Sequence, residues 1–229
     1  MIEALLPAAA VVVEAFADRP DEPPYPGEED LVARAAPGRR REFVTARRCA
    51  REALARLGYP PAPIRPGPRR EPRWPAGVVG SITHCDGYRA AAVAPAAALA
   101  SLGVDAEPHE ALPAEVLGVV TTAGEPERLA GLRAGDAGVH WDRLLFSAKE
   151  SVYKAWYPLT GRWLGFEEAE VTLDPAGRFT ARLLVDGART DGGPPLRAFH
   201  GRWLVADGLV VTAVAVPSDS SLFARPDPG

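Results

Sequence analysis

Two lysines stand out in a chain whose other basic residues are all arginine. Of 26 basic residues only Lys149 and Lys154 are lysine, and both lie in the segment 146–154, FSAKESVYK. An ammonium is a compact point charge and a guanidinium a planar fork, so a lysine retained twice indicates positions where a fork does not fit. Helical spacing places Glu150 and Lys154 one turn apart on one face. Such a pair can hold a divalent metal and neutralise a phosphate.

The same pair has an ordinary interpretation. A glutamate and a lysine four residues apart form a common surface ion pair, worth only about 0.3–0.5 kcal/mol. Aromatic residues nearby, at Phe146, Tyr153 and Tyr157, make this face unlike an exposed one. We therefore expect Glu150 either to bind a metal or to accept a proton from an attacking hydroxyl, and Lys154 to stabilise a phosphate as it is transferred.

A second group of acids lies at the end of a predicted strand, in the segment 103–107, GVDAE. In an extended chain Asp105 and Glu107 point to the same side. Two such carboxylates repel each other unless a cation lies between them, and hard oxygen ligands favour Mg²⁺ or Mn²⁺. The backbone carbonyl of Ala106 can add a ligand. Taken alone, two unrelated acids at a solvated strand end explain the pattern better.

A hydroxyl and a histidine leave an earlier strand at Thr83 and His84. A histidine beside a hydroxyl can hydrogen-bond a phosphate, although a lone histidine is more often structural. Neither cysteine, Cys49 nor Cys85, has the partners of a disulfide framework or a zinc site. The pair Trp163 and Leu164 can form a pocket wall or fill the core, and the core is the better explanation.

The elements that must position these residues follow from the apolar pattern. Apolar residues recur at helical spacing between 40 and 57, where Gly58 offers a stop, and proline-rich loops are expected at 17–30 and 60–75. Strand-like runs follow at 77–83, 90–94 and 100–105. Thr83 and Asp105 are the last residues of two of these predicted strands.

The second part of the chain carries the other helix. A short helix is expected at 113–116, poor order at 121–138, and a long helix from Asp142, as its N-cap, to Tyr157, ended by Pro158. Four strands are predicted to follow, at 170–173, 179–185, 202–206 and 209–216. Asp207-Gly208 is a two-residue hairpin signal.

These elements predict an α+β fold. Each half offers a long helix and about three strands, so the chain is expected to consist of two pseudo-twofold-related α+β halves, each a small antiparallel sheet packed on a long helix. We place the boundary between residues 1–110 and 111–229.

Composition excludes several classes of function. The chain has 229 residues, 47% of them hydrophobic and 24% charged, which is typical of a soluble globular protein. No apolar run is long enough to span a bilayer, and no signal peptide is recognised, so a cytoplasmic protein is expected. A net charge of −4 argues against general nucleic-acid binding. Arginines nevertheless cluster at 39–51 and 65–73, and a basic region facing a carboxylate-bearing centre suits a small polyanion with a metal.

Taken in order, three segments resemble the 4′-phosphopantetheinyl transferases of the surfactin- and enterobactin-associated type. They are Trp74-Pro75 followed by GSITHC at 80–85, GVDAE at 103–107, and FSAKESVYK at 146–154. Arg41-Glu42-Phe43 with Arg47, and WLGF at 163–166, are similar to the actinobacterial members. The resemblance covers about 39–216, nearly the whole chain.

The resemblance implies an enzyme that moves the phosphopantetheine arm of coenzyme A onto a serine of an apo acyl or peptidyl carrier protein, releasing adenosine 3′,5′-bisphosphate. Carrier proteins serve fatty acid, polyketide and nonribosomal peptide biosynthesis. Coenzyme A would lie in the cleft between two α+β halves. Because both halves of the site lie in one chain, a monomer is expected, with no nucleic-acid or membrane partner.

Residue roles follow from the same resemblance. Mg²⁺, or Mn²⁺, would be bound by Asp105, the Ala106 carbonyl, Glu107 and Glu150. Glu150 would also activate the carrier serine, and Lys154 would assist departure of the bisphosphate. The coenzyme A contacts would be Arg39, Arg47, Arg69, Arg70, Thr83, His84, Asp105, Glu150, Lys154 and Leu164. Relatives often carry a lysine where this chain has arginines at 65–70, so which arginine replaces it stays open.

Two other functions stay open from the residues themselves. The same carboxylates suit a metal-dependent phosphohydrolase or nucleotidyl transferase, which would act without a carrier protein. A non-catalytic scaffold that binds carrier proteins would need neither metal nor coenzyme A. Both leave unexplained why the hydroxyl and histidine, the paired acids and the Glu-Lys helix occur in this order.

Overall fold

The computed structural model describes residues 1–218, in which eight strands form two antiparallel sheets flanked by helices. The first sheet has the order β1-β3-β2 and the second the order β4-β8-β7-β6-β5. The strands are β1 Val11–Ala15, β2 Val78–Cys85, β3 Tyr88–Pro95, β4 Leu99–Pro108, β5 Ala169–Asp174, β6 Arg178–Leu183, β7 Ala198–Ala206 and β8 Leu209–Pro217. The predicted α+β fold is confirmed.

Helix α1, Pro37–Arg56, packs on the first sheet. Its apolar face, which includes Cys49 and Leu54, is buried against β1 and β3. The helix begins three residues before the predicted start because Pro37 occupies the first turn, where its fixed φ suits a helix and its missing N–H is not needed. The helix ends just before Gly58, whose φ of +88° favours glycine.

Helix α4, Trp141–Thr160, packs on the second sheet and is longer than predicted at both ends. Its N-cap is His140, and Asp142 lies inside the first turn, where its carboxylate accepts the Leu112 N–H at 3.1 Å. The predicted stop at Pro158 is wrong. Buried Leu159 continues the helix past the proline, and Gly161, in the left-handed region, donates to the Tyr157 carbonyl to end it.

The segment between the two long helices is also more regular than predicted. Residues 114–120 form α2, Ala114–Val120, and the expected disorder at 121–138 is wrong because α3, Glu125–Gly135, occupies most of it. The composition of residues 121–138 favours a helix only weakly. Glu125 is buried and accepts the Thr122 N–H, the Lys149 ammonium and the Val171 N–H, so tertiary hydrogen bonds hold the segment in place.

Strand β4 joins the two parts of the chain. It follows β3 in sequence, yet it pairs with β8 in the second sheet, with Asp105 opposite Thr212. The first sheet instead gains β1, a strand that the sequence pattern did not predict. The predicted hairpin between β7 and β8 is confirmed, since Asp207 and Gly208 have φ values of +51° and +74°.

Side-chain hydroxyls bridge the gap between the sheets. The edge of β4 that faces β2 has backbone N–H groups without a neighbouring strand. Ser81 accepts the Val104 N–H at 3.1 Å, and Thr83 accepts the Ala106 N–H at 3.0 Å. A further core, built around Val12, Leu102 and Val211, lies between the two sheets. Within residues 1–218 no helix is both long and apolar enough to cross a membrane.

Candidate active site

A cavity of about 1150 Å³ lies between α1 and α4, where the two sheets meet. Its walls come from both helices, strand β2 and the loops that include residues 30–35 and 66–72. Six cationic side chains line it, together with the imidazole of His84: Arg34, Arg39, Arg47, Arg69, Arg70 and Lys154. So many cationic groups around one cavity suit a ligand with several phosphates.

The acid of strand β4 meets the lysine of α4 beside this cavity. The Lys154 ammonium donates to Asp105 Oδ1 at 2.7 Å and to the Val104 carbonyl at 3.1 Å. Asp105 is only 4% exposed, and its other carboxylate oxygen, Oδ2, is buried with no hydrogen-bond partner among the described residues. A buried carboxylate oxygen without a partner is costly unless a ligand or cation uses it.

Gly103 allows the strand and the helix to come this close. A Cβ at this position would lie 2.0 Å from the Ser151 carbonyl oxygen of α4, which is far inside van der Waals contact. Only glycine therefore fits at the point where β4 crosses the helix. The glycine of the GVDAE segment thus positions the acid that follows it two residues later.

The second acid of β4, Glu107, is held by an arginine. Arg143 of α4 donates to Glu107 Oε2 at 3.0 Å and, from Nε and Nη2, to the carbonyls of Glu110 and Ala111. Burial, with a further contribution from the charge of Asp105, raises the pKa of Glu107 to about 7. The two acids therefore interact electrostatically, as their alternation on one strand predicts.

Glu150 stands between two cavities. It lines the large cavity and also a smaller one of about 180 Å³, and Tyr153 is shared in the same way. Burial raises the pKa of Glu150, Lys154 opposes this, and Asp105 adds to it. The smaller cavity is otherwise mostly apolar, with Trp163, Leu164 and Phe166 in its wall.

The basic wall on the other side is built from α1 and β2. Arg39 donates to the His84 ring at 2.6 Å from Nη1 to Nε2, and Arg39 and Glu42 form an ion pair at 3.1 Å. Burial, followed by the Arg39 charge, lowers the pKa of His84 to about 4, so the imidazole is neutral at pH 7. Arg47 lies over the Phe43 ring, with its Cζ atom 3.6 Å from the ring centroid.

The other residues singled out in the sequence lie nearby but in different surroundings. Thr83 is buried, and its hydroxyl also lies 3.4 Å from Asp105 Oδ1, so it contacts the acid rather than the cavity. Leu164 is buried in the core that α4 forms with the second sheet. Trp163 is 61% exposed and contacts the Tyr153 ring, which corrects the expectation that the tryptophan fills the core. Arg65 pairs with Asp30 at the surface.

The carbonyl of Ala106 faces the same strand edge as its N–H, which Thr83 binds. Within residues 1–218 no three histidine, cysteine or acidic side chains already converge as a metal-binding cluster. Lys154 and Arg143 instead contact one oxygen of Asp105 and one of Glu107. The donors nonetheless fit a hard divalent cation, since they are carboxylates and one oxygen, Asp105 Oδ2, is buried without a partner.

The sequence indicated two aromatic contributors to the site. Tyr153 and Tyr157 line the large cavity, and their spacing on the helix of Glu150 and Lys154 was a usable sign. Lys149, by contrast, is buried and lies in the wall of the smaller cavity, not of the large one. Its ammonium donates to Glu125, the Val120 carbonyl and the Phe166 carbonyl, each at 2.8 Å, three separate acceptors that a planar fork would not reach.

Comparisons with known proteins agree with this architecture. The family model described as the 4′-phosphopantetheinyl transferase N-terminal domain matches residues 27–94, and that of the 4′-phosphopantetheinyl transferase superfamily matches 101–210. The chain is 60% identical over 220 residues to the 4′-phosphopantetheinyl transferase Svp of Streptomyces mobaraensis, covering 94% of this chain and 89% of the relative.

Two further relatives are similar over almost their whole length. The 4′-phosphopantetheinyl transferase Npt of Nocardia iowensis is 52% identical, with 94% of this chain and 99% of the relative aligned. The 4′-phosphopantetheinyl transferase PptT of Mycobacterium tuberculosis is 48% identical, with 94% and 98% aligned. The chain belongs to the 4′-phosphopantetheinyl transferase superfamily and is an enzyme. The family predicted from the sequence is confirmed, including its similarity to actinobacterial members.

Proposed function

We propose that the chain transfers the 4′-phosphopantetheine arm of coenzyme A to a serine of an apo carrier protein, with Mg²⁺ as cofactor and adenosine 3′,5′-bisphosphate as the released product. The observation that carries this proposal is the junction of two unlike cavities at Glu150. Coenzyme A has a highly anionic nucleotide and a long, largely uncharged arm. The large basic cavity suits the nucleotide, and the small apolar cavity suits the arm.

This placement puts the pyrophosphate at the junction, next to Glu150 and Lys154. The carrier serine oxygen attacks the phosphorus that bears the pantetheine arm, and the bond from that phosphorus to the bridging oxygen breaks. Glu150 accepts the serine proton. Burial raises its pKa, which makes it a stronger base than an exposed glutamate. Lys154 stabilises the charge that develops on the leaving phosphate.

The nucleotide is held by the basic wall. Arg69, Arg70 and Arg47 face the large cavity, while Arg65 is engaged with Asp30, so we assign the phosphate contacts of the 65–70 loop to Arg69 and Arg70. His84 is neutral and can donate one ring N–H to a phosphate oxygen. Thr83 acts indirectly, because its hydroxyl contacts Asp105 and accepts the Ala106 N–H.

Asp105, Glu107, Glu150 and the Ala106 carbonyl are the residues that would hold Mg²⁺. When bound, the ion supplies positive charge to the pyrophosphate oxygens. The free Oδ2 atom of Asp105 and the two neighbouring carboxylates match its preference for oxygen ligands.

A monomeric enzyme in the cytoplasm stays a prediction, as does the boundary between halves near residue 110.

A labelling assay tests the proposal. The purified protein is incubated with fluorescent coenzyme A, Mg²⁺ and a panel of apo carrier proteins from fatty acid, polyketide and nonribosomal peptide systems. We expect transfer to at least one carrier and a loss of about 10²-fold or more in Glu150→Gln, which keeps the size but not the basicity of the side chain. The control is Glu115→Gln on the exposed part of α2.

Failure to label any carrier, or undiminished transfer by Glu150→Gln, would contradict the proposal. Release of adenosine 3′,5′-bisphosphate without an acceptor would instead favour a hydrolase. Chelation of the metal with EDTA should abolish labelling, and Mg²⁺ should restore it.

A further inference from the structure

A buried carboxylate lies behind the basic wall of the large cavity. Glu28 is 0% exposed, and its Oε1 accepts the Arg51 guanidinium at 2.8 Å and the Ile64 N–H at 2.7 Å. Its other oxygen, Oε2, is buried without a hydrogen-bond partner among the described residues. Burying a charge with incomplete hydrogen bonding destabilises a fold, so stability alone is a poor explanation for this glutamate.

Glu28 joins two loops that both form the cavity wall. The chain that follows it, residues 30–35, lines the cavity, and so do most of residues 66–72, which follow Ile64. At their exposed ends the same two loops are joined by Arg65, which donates to the Gly27 carbonyl at 2.7 Å and to Asp30. The loops are therefore tied together at a buried point and at a surface point.

Glu28 also acts on Arg47, a cation of the cavity wall. Arg47 Nε donates to the Ile64 carbonyl at 3.1 Å, so the Ile64 peptide units connect the acid to the arginine. Burial lowers the pKa of Arg47 to about 10, and the charge of Glu28 opposes this shift more than any other group does. Glu28 is thus the main counter-charge for a partly desolvated cation.

We infer that Glu28 is a positioning residue for coenzyme A, which orients Arg47 and the two loops that receive the nucleotide. The inference rests on the proposed function, since it assumes that the nucleotide occupies the large cavity. Glu28 is fully buried and is not part of the cavity wall, so it acts through other residues. A contact between Arg47 and the nucleotide that is equally strong in the ground state and in the transition state contributes to binding only, so weakening it should raise KM and leave kcat unchanged.

Calorimetric titration with adenosine 3′,5′-bisphosphate, alongside steady-state kinetics, tests this role. Glu28→Gln should raise the dissociation constant and the KM for coenzyme A by about tenfold or more, as when a supporting partner of a binding group is removed, while kcat stays within about twofold. The matched control is Glu14→Gln. Glu14 also binds several donors, the Met1 ammonium and the Ile2 N–H among them, but it lies away from the cavity. Its substitution should leave both constants unchanged.

A double-mutant cycle with Arg47→Ala separates positioning from a general loss of structure. If Glu28 acts through Arg47, Glu28→Gln should weaken binding much less in the Arg47→Ala background, whereas equal effects in both backgrounds overturn the inference. If Glu28→Gln does not fold, Arg65→Ala removes the exposed tie between the same loops and should raise the dissociation constant about twofold to fivefold. An unchanged constant would then count against the inference.

The outcome for the wild-type protein distinguishes the two proposals. Wild type that binds neither adenosine 3′,5′-bisphosphate nor coenzyme A contradicts the proposed function itself. Wild type that binds both, with Glu28→Gln binding equally well, contradicts only the role of Glu28.

Discussion

Replacing Glu107 by glutamine should remove a loss of stability that the wild-type protein suffers as the pH rises from 5 to 8, and it should impair activity. Glu107 is largely buried and lies on the same side of β4 as Asp105, and burial and the charge of Asp105 raise its pKa. Ionising Glu107 in the folded chain is therefore unfavourable. If the two acids serve to bind a metal, replacing Glu107 should relieve the repulsion between the two carboxylates and also weaken Mg²⁺ binding.

The size of the effect follows from the pKa of Glu107. The folded chain raises it from 4.5 to about 7, so between these values the folded chain holds a proton that the unfolded chain has lost. The contribution of Glu107 to stability is fully present below the unfolded value and is lost as the pH rises through 7. Between pH 5 and pH 8 the loss is about 2 kcal/mol.

Urea unfolding of wild type and Glu107→Gln at pH 5 and pH 8, without divalent metal, measures this contribution. The difference in unfolding free energy between the two proteins should shift by about 2 kcal/mol in favour of the variant at pH 8. Comparing two pH values removes any constant effect of glutamine on packing or on the contact with Arg143. Glu110→Gln, an exposed neighbour three residues away, should give no such shift.

Addition of Mg²⁺ extends the test. Saturating Mg²⁺ should raise the unfolding free energy of wild type at pH 8 and that of Glu107→Gln far less, since a ligand stabilises only the state that binds it. Parallel pH profiles for the two proteins would show that ionising the Glu107 carboxylate does not destabilise the folded chain, and they would refute this prediction. Equal stabilisation by Mg²⁺ would remove Glu107 from the ligand set.

Two further predictions concern the contact between β4 and α4. Lys154→Met should abolish transfer and lower the unfolding free energy by about 3 kcal/mol, because it leaves buried Asp105 without its cation. The labelling assay measures the first effect and urea unfolding the second. Gly103→Ala should lower the unfolding free energy by at least about 3 kcal/mol, because its methyl group would overlap the Ser151 carbonyl. The control is Gly118→Ala in α2, where nothing lies within 4 Å of the added methyl group, and it should raise the melting temperature slightly. A Gly103→Ala protein as stable as wild type would contradict the close packing of β4 and α4.

The acids and the lysine of the site were predictable because they lie in regular elements. Alternation on a strand places Asp105 and Glu107 on one side, and helical spacing does the same for Glu150 and Lys154. These rules give the side of an element on which a residue lies but not what it contacts. Thr83 was expected to bind the nucleotide, yet it is buried, because the free edge of β4 needs an acceptor for its N–H groups.

Other differences arise where tertiary contacts outweigh local preference. Residues 125–135 are rich in small residues, and no local pattern indicates that Glu125 will accept hydrogen bonds from three separate segments. Pro158 usually marks a helix end, but the buried Leu159 and the following turn at Gly161 stabilise one more turn. Glu28 gave no signal, since its partners Arg51 and Ile64 are far away in sequence.

The pairing of β4 with β8 has a consequence for how the protein is made. Strand Leu99–Pro108 cannot find its partner until Leu209–Pro217 has been synthesised, roughly a hundred residues later. During synthesis β4 therefore remains unpaired while α4 is completed. An unpaired strand edge can bind other chains, so the incomplete protein is prone to aggregate. Shortening the chain within its last strand should thus yield aggregated polypeptide during expression, rather than a smaller working enzyme.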